Sequence, residues 1–143
     1  MPEGVPQFYD MQVPIRAFVT KRLVGVHADK TVEEAASRMV EFNISSIVVL
    51  EDDTIAGLLT DTDLKSRVVA RGKAPGTLVR DVMTRELVSA DIGTPVREVL
   101  GLMADKNIKH VLIKEEGEYV GMVTFRDLID IELHSLETYI SRE

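Results

Sequence analysis

The sequence predicts an α/β (α+β) fold made of two pseudo-twofold-related β-α-β-β-α units packed through their sheets. Three observations point to it. The chain repeats itself at a constant offset of 64 residues, each copy alternates a helical apolar stripe with short β-branched runs, and one copy alone is marginal. Laying Ile15–Ser66 over Val79–Asp130 without a gap pairs Arg16/Arg80, Thr20/Thr84, Val32/Val96, Glu34/Glu98, Met39/Met103, Asn43/Asn107, Gly57/Gly121, Thr60/Thr124 and Asp63/Asp127, among others. A unit of about 50 residues buries too little surface to offset its chain entropy comfortably, and pairing two copies sheet to sheet remedies that.

A short strand is expected ahead of each first helix. In the first copy, Thr31-Val-Glu-Glu34 reads as a capping-box start, followed by Val32, Ala35, Ala36, Met39 and Val40 on one core-facing stripe. In the second, Thr94-Pro95 starts a helix with proline at its first position and the stripe Val96, Val99, Leu100, Met103 and Ala104. Asn43 and Asn107 suit helix C-termini, and Ile47–Leu50 and Val111–Ile113 read as buried strands. Acidic turns at Glu51–Thr54 and Glu115–Glu118 lead to second strands, Ile55–Thr60 and Tyr119–Thr124, and then to helices beginning near Asp61 and Phe125. The organisation is an N-terminal arm over 1–14, a first repeat over 15–71, a linker over 72–78 with Gly72, Pro75 and Gly76, a second repeat over 79–130, and a helical extension over 131–143.

Composition narrows the function. Lys+Arg 17 against Asp+Glu 24 leaves a net charge of −7, which repels phosphate backbones, and no basic stripe offsets it; nucleic acid is not an expected partner. No cysteine means no thiol nucleophile, disulfide or zinc-thiolate site. The first 14 residues carry Glu3, Asp10 and three prolines rather than a cationic flank and apolar core, and 18 apolar residues nowhere run together, so a cytoplasmic protein without a membrane partner is expected. His27, in the loop before the first helix, and His134 have no second ligand at metal spacing, and Met39 and Met103 sit on apolar stripes as core residues.

The most specific signals are Asn-Ile-Ser-Ser-Ile (43–47), Asn-Ile-Lys-His-Val (107–111), Gly-Leu-Leu-Thr-Asp-Thr-Asp-Leu (57–64), Gly-Met-Val-Thr-Phe-Arg-Asp-Leu (121–128) and Met-Thr at 83–84. With these residues the sequence resembles, over nearly its whole length, paired cystathionine-β-synthase (CBS)-type domains, the tandem called a Bateman module. That resemblance implies a regulatory, non-catalytic module whose clefts bind adenosine-containing ligands. It implies no required cofactor and a ligand such as AMP or ADP, with ATP and S-adenosylmethionine as alternatives. The ligand-binding residues so implied are Thr124, Asp127, Arg126, Met122, Lys109 and His110 at the second corner, and Thr60, Asp63, Leu58, Ser45 and Ser46 at the first.

The chemistry of the corners agrees with this reading. A carboxylate in the first helical turn, Asp63 or Asp127, can accept both ribose hydroxyls, and a threonine hydroxyl beside helix N–H groups can receive a phosphate. Gly57 and Gly121 permit close approach of a backbone or a flat base. Thr-x-x-Asp is equally what N-capping needs, and one residue can do both. Lys109, His110 and Arg126 favour AMP or ADP, because S-adenosylmethionine needs no phosphate cradle; the matching Ser45, Ser46 and Thr62 are uncharged. Asp61 adds a carboxylate where the second copy has Phe125, so the second cleft is expected to fill first.

No nucleophile–base pair, metal set or Walker-type loop supports an enzyme. The rival reading is a structural or dimerisation adaptor with empty clefts. The last helix, running to about Ser141, shows Ile129, Leu133, Leu136 and Ile140 at 4, 3, 4 spacing, a seam that suggests a homodimer or a cover for Val5, Phe8, Tyr9 and Met11 of the N-terminal arm. With no effector domain visible, the regulated partner is expected to be another protein.

Overall fold

Residues 12–20 and 23–129 are described by the computed structural model, and they fall into two units, one over 23–87 and the other over 12–20 with 88–129. In the first unit β1 (Gly25–His27), α1 (Val32–Phe42), β2 (Ser46–Glu51) and β3 (Thr54–Thr60) lead into α2 (Asp61–Asp63), which continues as a π-helix over Leu64–Val69. In the second, β4 (Ser89–Asp91), α3 (Val96–Lys106), β5 (His110–Glu115) and β6 (Glu118–Thr124) lead into α4, helical over the described residues 125–129. The sheets have the orders β1-β2-β3 and β4-β5-β6, each with a parallel first pair and an antiparallel second pair. The expected β-α-β-β-α plan is present twice. No helix among the described residues is long and apolar enough to cross a membrane.

Local chemistry accounts for most boundaries. Thr31 Oγ1 accepts from Glu34 N at 3.2 Å, while the Glu34 carboxylate lies 3.8 Å from Lys30 Nζ. Asn43 and Asn107 end their helices in the left-handed conformation, at φ 53° and 52°, as their side chains tolerate. The β2–β3 and β5–β6 turns place Asp52 and Asp53 at φ 49° and 61°, and Glu116 and Gly117 at φ 51° and 82°, the positive angles that two-residue hairpins require. His27 ends strand β1 rather than lying in a loop. Pro95 is the N-cap of α3 rather than its first helical residue, since its ψ of 145° is extended, and the helix opens at Val96, whose N–H goes to the Val13 carbonyl at 2.9 Å.

Met39 and Met103 are core residues, 3% and 4% exposed. The buried faces are narrower than the stripes: Val40 is 81% exposed and Ala104 is exposed as well. Each helix meets its sheet along Val32, Ala35 and Met39, or along Val96, Val99 and Met103, and the next residue turns about 100° away from that face.

The boundaries of the units differ from those of the repeats, with a definite physical content. The opening segment of the first repeat belongs to the second unit: Ile15, fully buried, packs with Ile92, Val96, Val99 and Val123, and Ile15 N and Arg16 N donate to Thr94 O and Ile92 O at 2.7 and 3.1 Å. The opening segment of the second repeat belongs to the first unit. Val79, also fully buried, packs with Val26, Val32 and Ile47, and Val79 N and Arg80 N donate to Lys30 O and Ala28 O at 2.9 and 3.0 Å. Thr77 O takes the Val32 N–H at 2.9 Å, matching Val13 O on Val96, so residues of the 72–78 linker cap α1.

Past these anchors the opening segments run against glycines. Thr84 exchanges backbone hydrogen bonds of 2.9 and 2.8 Å with Leu58, and Thr20 exchanges bonds of 3.0 and 3.0 Å with Met122. A β-carbon at Gly57 would lie 2.7 Å from Met83 Sδ and 2.9 Å from Thr84 O; at Gly121 it would lie 2.5 Å from Thr20 O and 2.5 Å from Val19 Cγ1. In both cases a backbone carbonyl is among the approaching groups, beside a side chain of the same segment. Gly121→Ala should destabilise the protein by about 1–3 kcal/mol through overpacking. Gly101→Ala, in α3 with nothing within 4 Å of the added carbon, should stabilise it by about 0.5–1 kcal/mol. Urea denaturation of both variants checks the contrast.

Candidate functional site

At the second corner, antiparallel pairing sets His110 opposite Thr124, and Phe125 N donates to Lys109 O at 2.9 Å, bringing the β5 start and the β6–α4 junction together. The first N–H groups of a helix have no partner within it. Here Asp127 N donates to Thr124 Oγ1 at 3.0 Å, and Thr124 N donates to Asp127 Oδ2 at 3.2 Å, a reciprocal capping box. Thr124, Asp127, His110 and Met122 are half-buried; Lys109 and Arg126 are exposed. The geometry thus gathers Thr124, Asp127, His110 and the Lys109 backbone at one strand–helix junction, with Arg126 in the same helical turn. Met122 lies two residues before it, pairing with Thr20.

The first corner has the same frame. Ser46 pairs with Thr60, Asp61 N donates to Ser45 O at 3.0 Å, and Thr60 and Asp63 form the reciprocal box at 3.2 and 3.0 Å. Its surroundings differ. Asp63, Ser46 and Leu58 are buried at 5%, 3% and 9% exposure, Thr60 is half-buried and Ser45 exposed. Thr84 Oγ1 lies 3.1 Å from both carboxylate oxygens of Asp63, and Arg67 Nε lies 3.6 Å from Oδ1. Arg67 Nη1 also donates to the carbonyls of Val82 and Met83, at 3.3 and 3.1 Å.

Both capping and ligand chemistry are compatible with the boxes. A threonine hydroxyl that accepts a helix N–H keeps its own hydrogen to donate, and a carboxylate that caps with one oxygen keeps lone pairs on the other. Among the described residues Asp127 Oδ1 accepts no hydrogen bond, whereas both oxygens of Asp63 do. Sequence reasoning did not assign Arg67 or Thr84 to the corner. Arg67, four residues after Asp63 on a helix, is readable as an i,i+4 pair; Thr84, 21 residues from Asp63, carries no such local signal.

The first unit also has an open groove of about 790 Å³ lined by Gly25, His27, Lys30, Glu34, Arg38 and Glu41 among others, none of them an expected site residue. Arg38 Nε donates to Gly25 O there at 2.9 Å. Among the described residues no group of three His, Asp or Glu side chains is placed to hold a metal ion.

Comparison with known proteins fits this architecture. The family profile described as CBS domain matches residues 15–70 and 79–134. A CBS domain-containing protein of Bacillus subtilis, YhcV, is 33% identical over 80% of this chain and 81% of its own length. An inosine-5'-monophosphate dehydrogenase of Methanocaldococcus jannaschii is 30% identical over 78% of this chain but only 22% of its own. The chain spans 57% and 58% of two further relatives. The crystal structure of a conserved protein from Pyrococcus horikoshii superposes with a TM-score of 0.81 at 43% identity, over 85% of this chain and 92% of that one. CBS-domain proteins generally act as regulatory ligand-binding modules, and those consisting of such domains alone are typically regulatory rather than catalytic, although the dehydrogenases carry them within an enzyme. Matched twice at the spacing of its repeat and folded twice to the same plan, this chain belongs to the CBS-domain family as a tandem pair, a Bateman module.

Proposed function

We propose that the chain is an adenosine-ligand sensor that binds AMP or ADP at the second corner, through Thr124, Asp127, Lys109, His110 and Arg126, and passes its occupancy to a partner protein. The observation that carries this reading is the half-buried Asp127 carboxylate. It caps α4 with Oδ2 and keeps Oδ1 unengaged among the described residues. A carboxylate so held is oriented before ligand arrives, and two ribose hydroxyls can donate to it. Lys109 and Arg126 bring positive charge near that carboxylate in a chain of net charge −7, which supports a phosphate-bearing ligand over S-adenosylmethionine. ATP fits the same chemistry with more charge to neutralise.

Adenine nucleotides should raise the melting temperature by binding the folded state, while guanine and pyrimidine nucleotides leave it unchanged. Asp127→Ala should weaken AMP binding about 10- to 150-fold, the loss of charge-assisted hydrogen bonds of about 1.5–3 kcal/mol. Asp127→Asn keeps an oxygen for the cap, so a similar loss of affinity with little loss of melting temperature separates ligand contact from capping. No shift with any adenosine compound at millimolar concentration would reject the reading.

The chain is also proposed to form a homodimer through the seam of Ile129, Leu133, Leu136 and Ile140, of which Leu133, Leu136 and Ile140 lie outside the described residues, as do His134 and the N-terminal arm residues Val5, Phe8, Tyr9 and Met11. Light scattering should give about twice the chain mass of 15.9 kDa. Leu133→Asp should return it to one chain, since an unpaired carboxylate in an apolar contact is costly.

A further inference from the structure

Asp63 is the one charged residue among the buried residues described. Its side chain, 8% exposed, accepts from Thr60 N at 3.0 Å and lies 3.6 Å from Arg67 Nε, while Thr84 Oγ1 stands 3.1 Å from each carboxylate oxygen. Equal distances put that hydroxyl midway between the two oxygens, both of which a ribose diol would use. Arg67 stands beside Oδ1 and is pinned by the Val82 and Met83 carbonyls, so it bridges the helix after the corner and the segment carrying Thr84.

Among the described residues the second corner lacks this closure. The repeat equivalent of Thr84 is Thr20, which makes the same pair of backbone bonds, with Met122 in place of Leu58, yet its exposed side chain makes no bond to Asp127. One motif therefore exists in two states, with its acid covered in one copy and half-buried in the other.

We infer that Thr84 and Arg67 form a latch that withholds Asp63 from ligand, which makes the first corner a closed copy of the site and leaves acceptance to the second. The latch itself is a claim about the first unit alone; its ligand consequence rests on the adenosine reading above. Thr84 and Arg67 are thus positioning residues that decide how many ligands a chain takes. Asp61, beside the same corner, adds a like charge that further disfavours phosphate there.

Two measurements on the full chain test this. In nucleotide-free protein, Thr84→Val should lower Tm by roughly 5–15 °C, the loss of a hydrogen bond to a buried charge, and Thr84→Ser should restore it. Adding Asp63→Asn to Thr84→Val should cost less than the sum of the two single changes, because both break one interaction. In calorimetric titration with AMP, the wild type should show one event per chain, kept by Asp63→Asn and lost in Asp127→Asn, and Thr84→Val should add a second event. Arg67→Met, which keeps the alkyl stem, should act in the same direction and serves if Thr84→Val does not fold. An unchanged Tm in Thr84→Val, or an AMP event removed by Asp63→Asn, would overturn the latch. If the wild type binds no adenine nucleotide, the adenosine reading fails, and the Tm of Thr84→Val against Thr84→Ser still decides the latch.

Discussion

Two backbone approaches, Thr84 against Gly57 and Thr20 against Gly121, hold each unit in the form its corner needs. Each arises where the opening segment of one repeat lies along the second hairpin strand of the other repeat's sheet. A side chain at either glycine would meet a carbonyl oxygen inside van der Waals distance, so the approach and the glycine require each other. Once a segment is docked, Ile15 or Val79 fills a core, and Val13 or Thr77 supplies a carbonyl to the first N–H of α3 or α1. Those N–H groups would otherwise stand unpaired at the helix start. The exchange thus supplies both apolar volume and polar satisfaction to sheets of only three strands, each too small to be self-sufficient.

The same docking sets the character of the two corners. A capping box orients the acid of Thr-x-x-Asp in either copy, because the first turn of a helix needs an acceptor and Thr60 and Thr124 need their own N–H satisfied. What surrounds the acid depends on the docked segment. Thr84 reaches Asp63 with its hydroxyl, and Arg67 braces the pair. At the other corner Thr20 brings only its backbone. Capping and the proposed ligand contact are therefore compatible in one motif: capping orients the carboxylate, and neighbouring side chains decide which of its oxygens are already engaged.

Electrostatics reinforces that division. The chain as a whole is acidic, and its hairpin turns concentrate carboxylates at Glu51, Asp52 and Asp53 and at Glu115, Glu116 and Glu118. The second corner departs from the average with Lys109 and Arg126, where the first has Ser45 and Thr62. An anionic ligand gains most where local positive charge stands near a prearranged set of donors, since interaction over a few ångströms outweighs the screened field of distant charges. The two repeats thus share a fold and differ in the charge that each places at its corner.

Much of this protein was legible from its residues. The repeat showed as the same residue types recurring at an offset of 64, while the strand and helix order, the caps at Thr31, Asn43 and Asn107, the buried Met39 and Met103, and the coupling of Thr60 to Asp63 and Thr124 to Asp127 followed from side-chain type at spacings of four residues or fewer. Those features are local, so chain chemistry alone encodes them. The exposure of Val40, the capping of α3 by Val13 and of α1 by Thr77, and the exchange of Ile15 and Val79 between repeats were decided by tertiary contact. They run through backbone carbonyls, which every residue possesses, or through the choice of which face meets a sheet, and neither leaves a mark in residue type. The hydroxyl of Thr84 on Asp63 belongs to the same class: 21 residues separate the two, and only the docking of the Met83–Thr84 segment against Gly57 brings them within 3.1 Å.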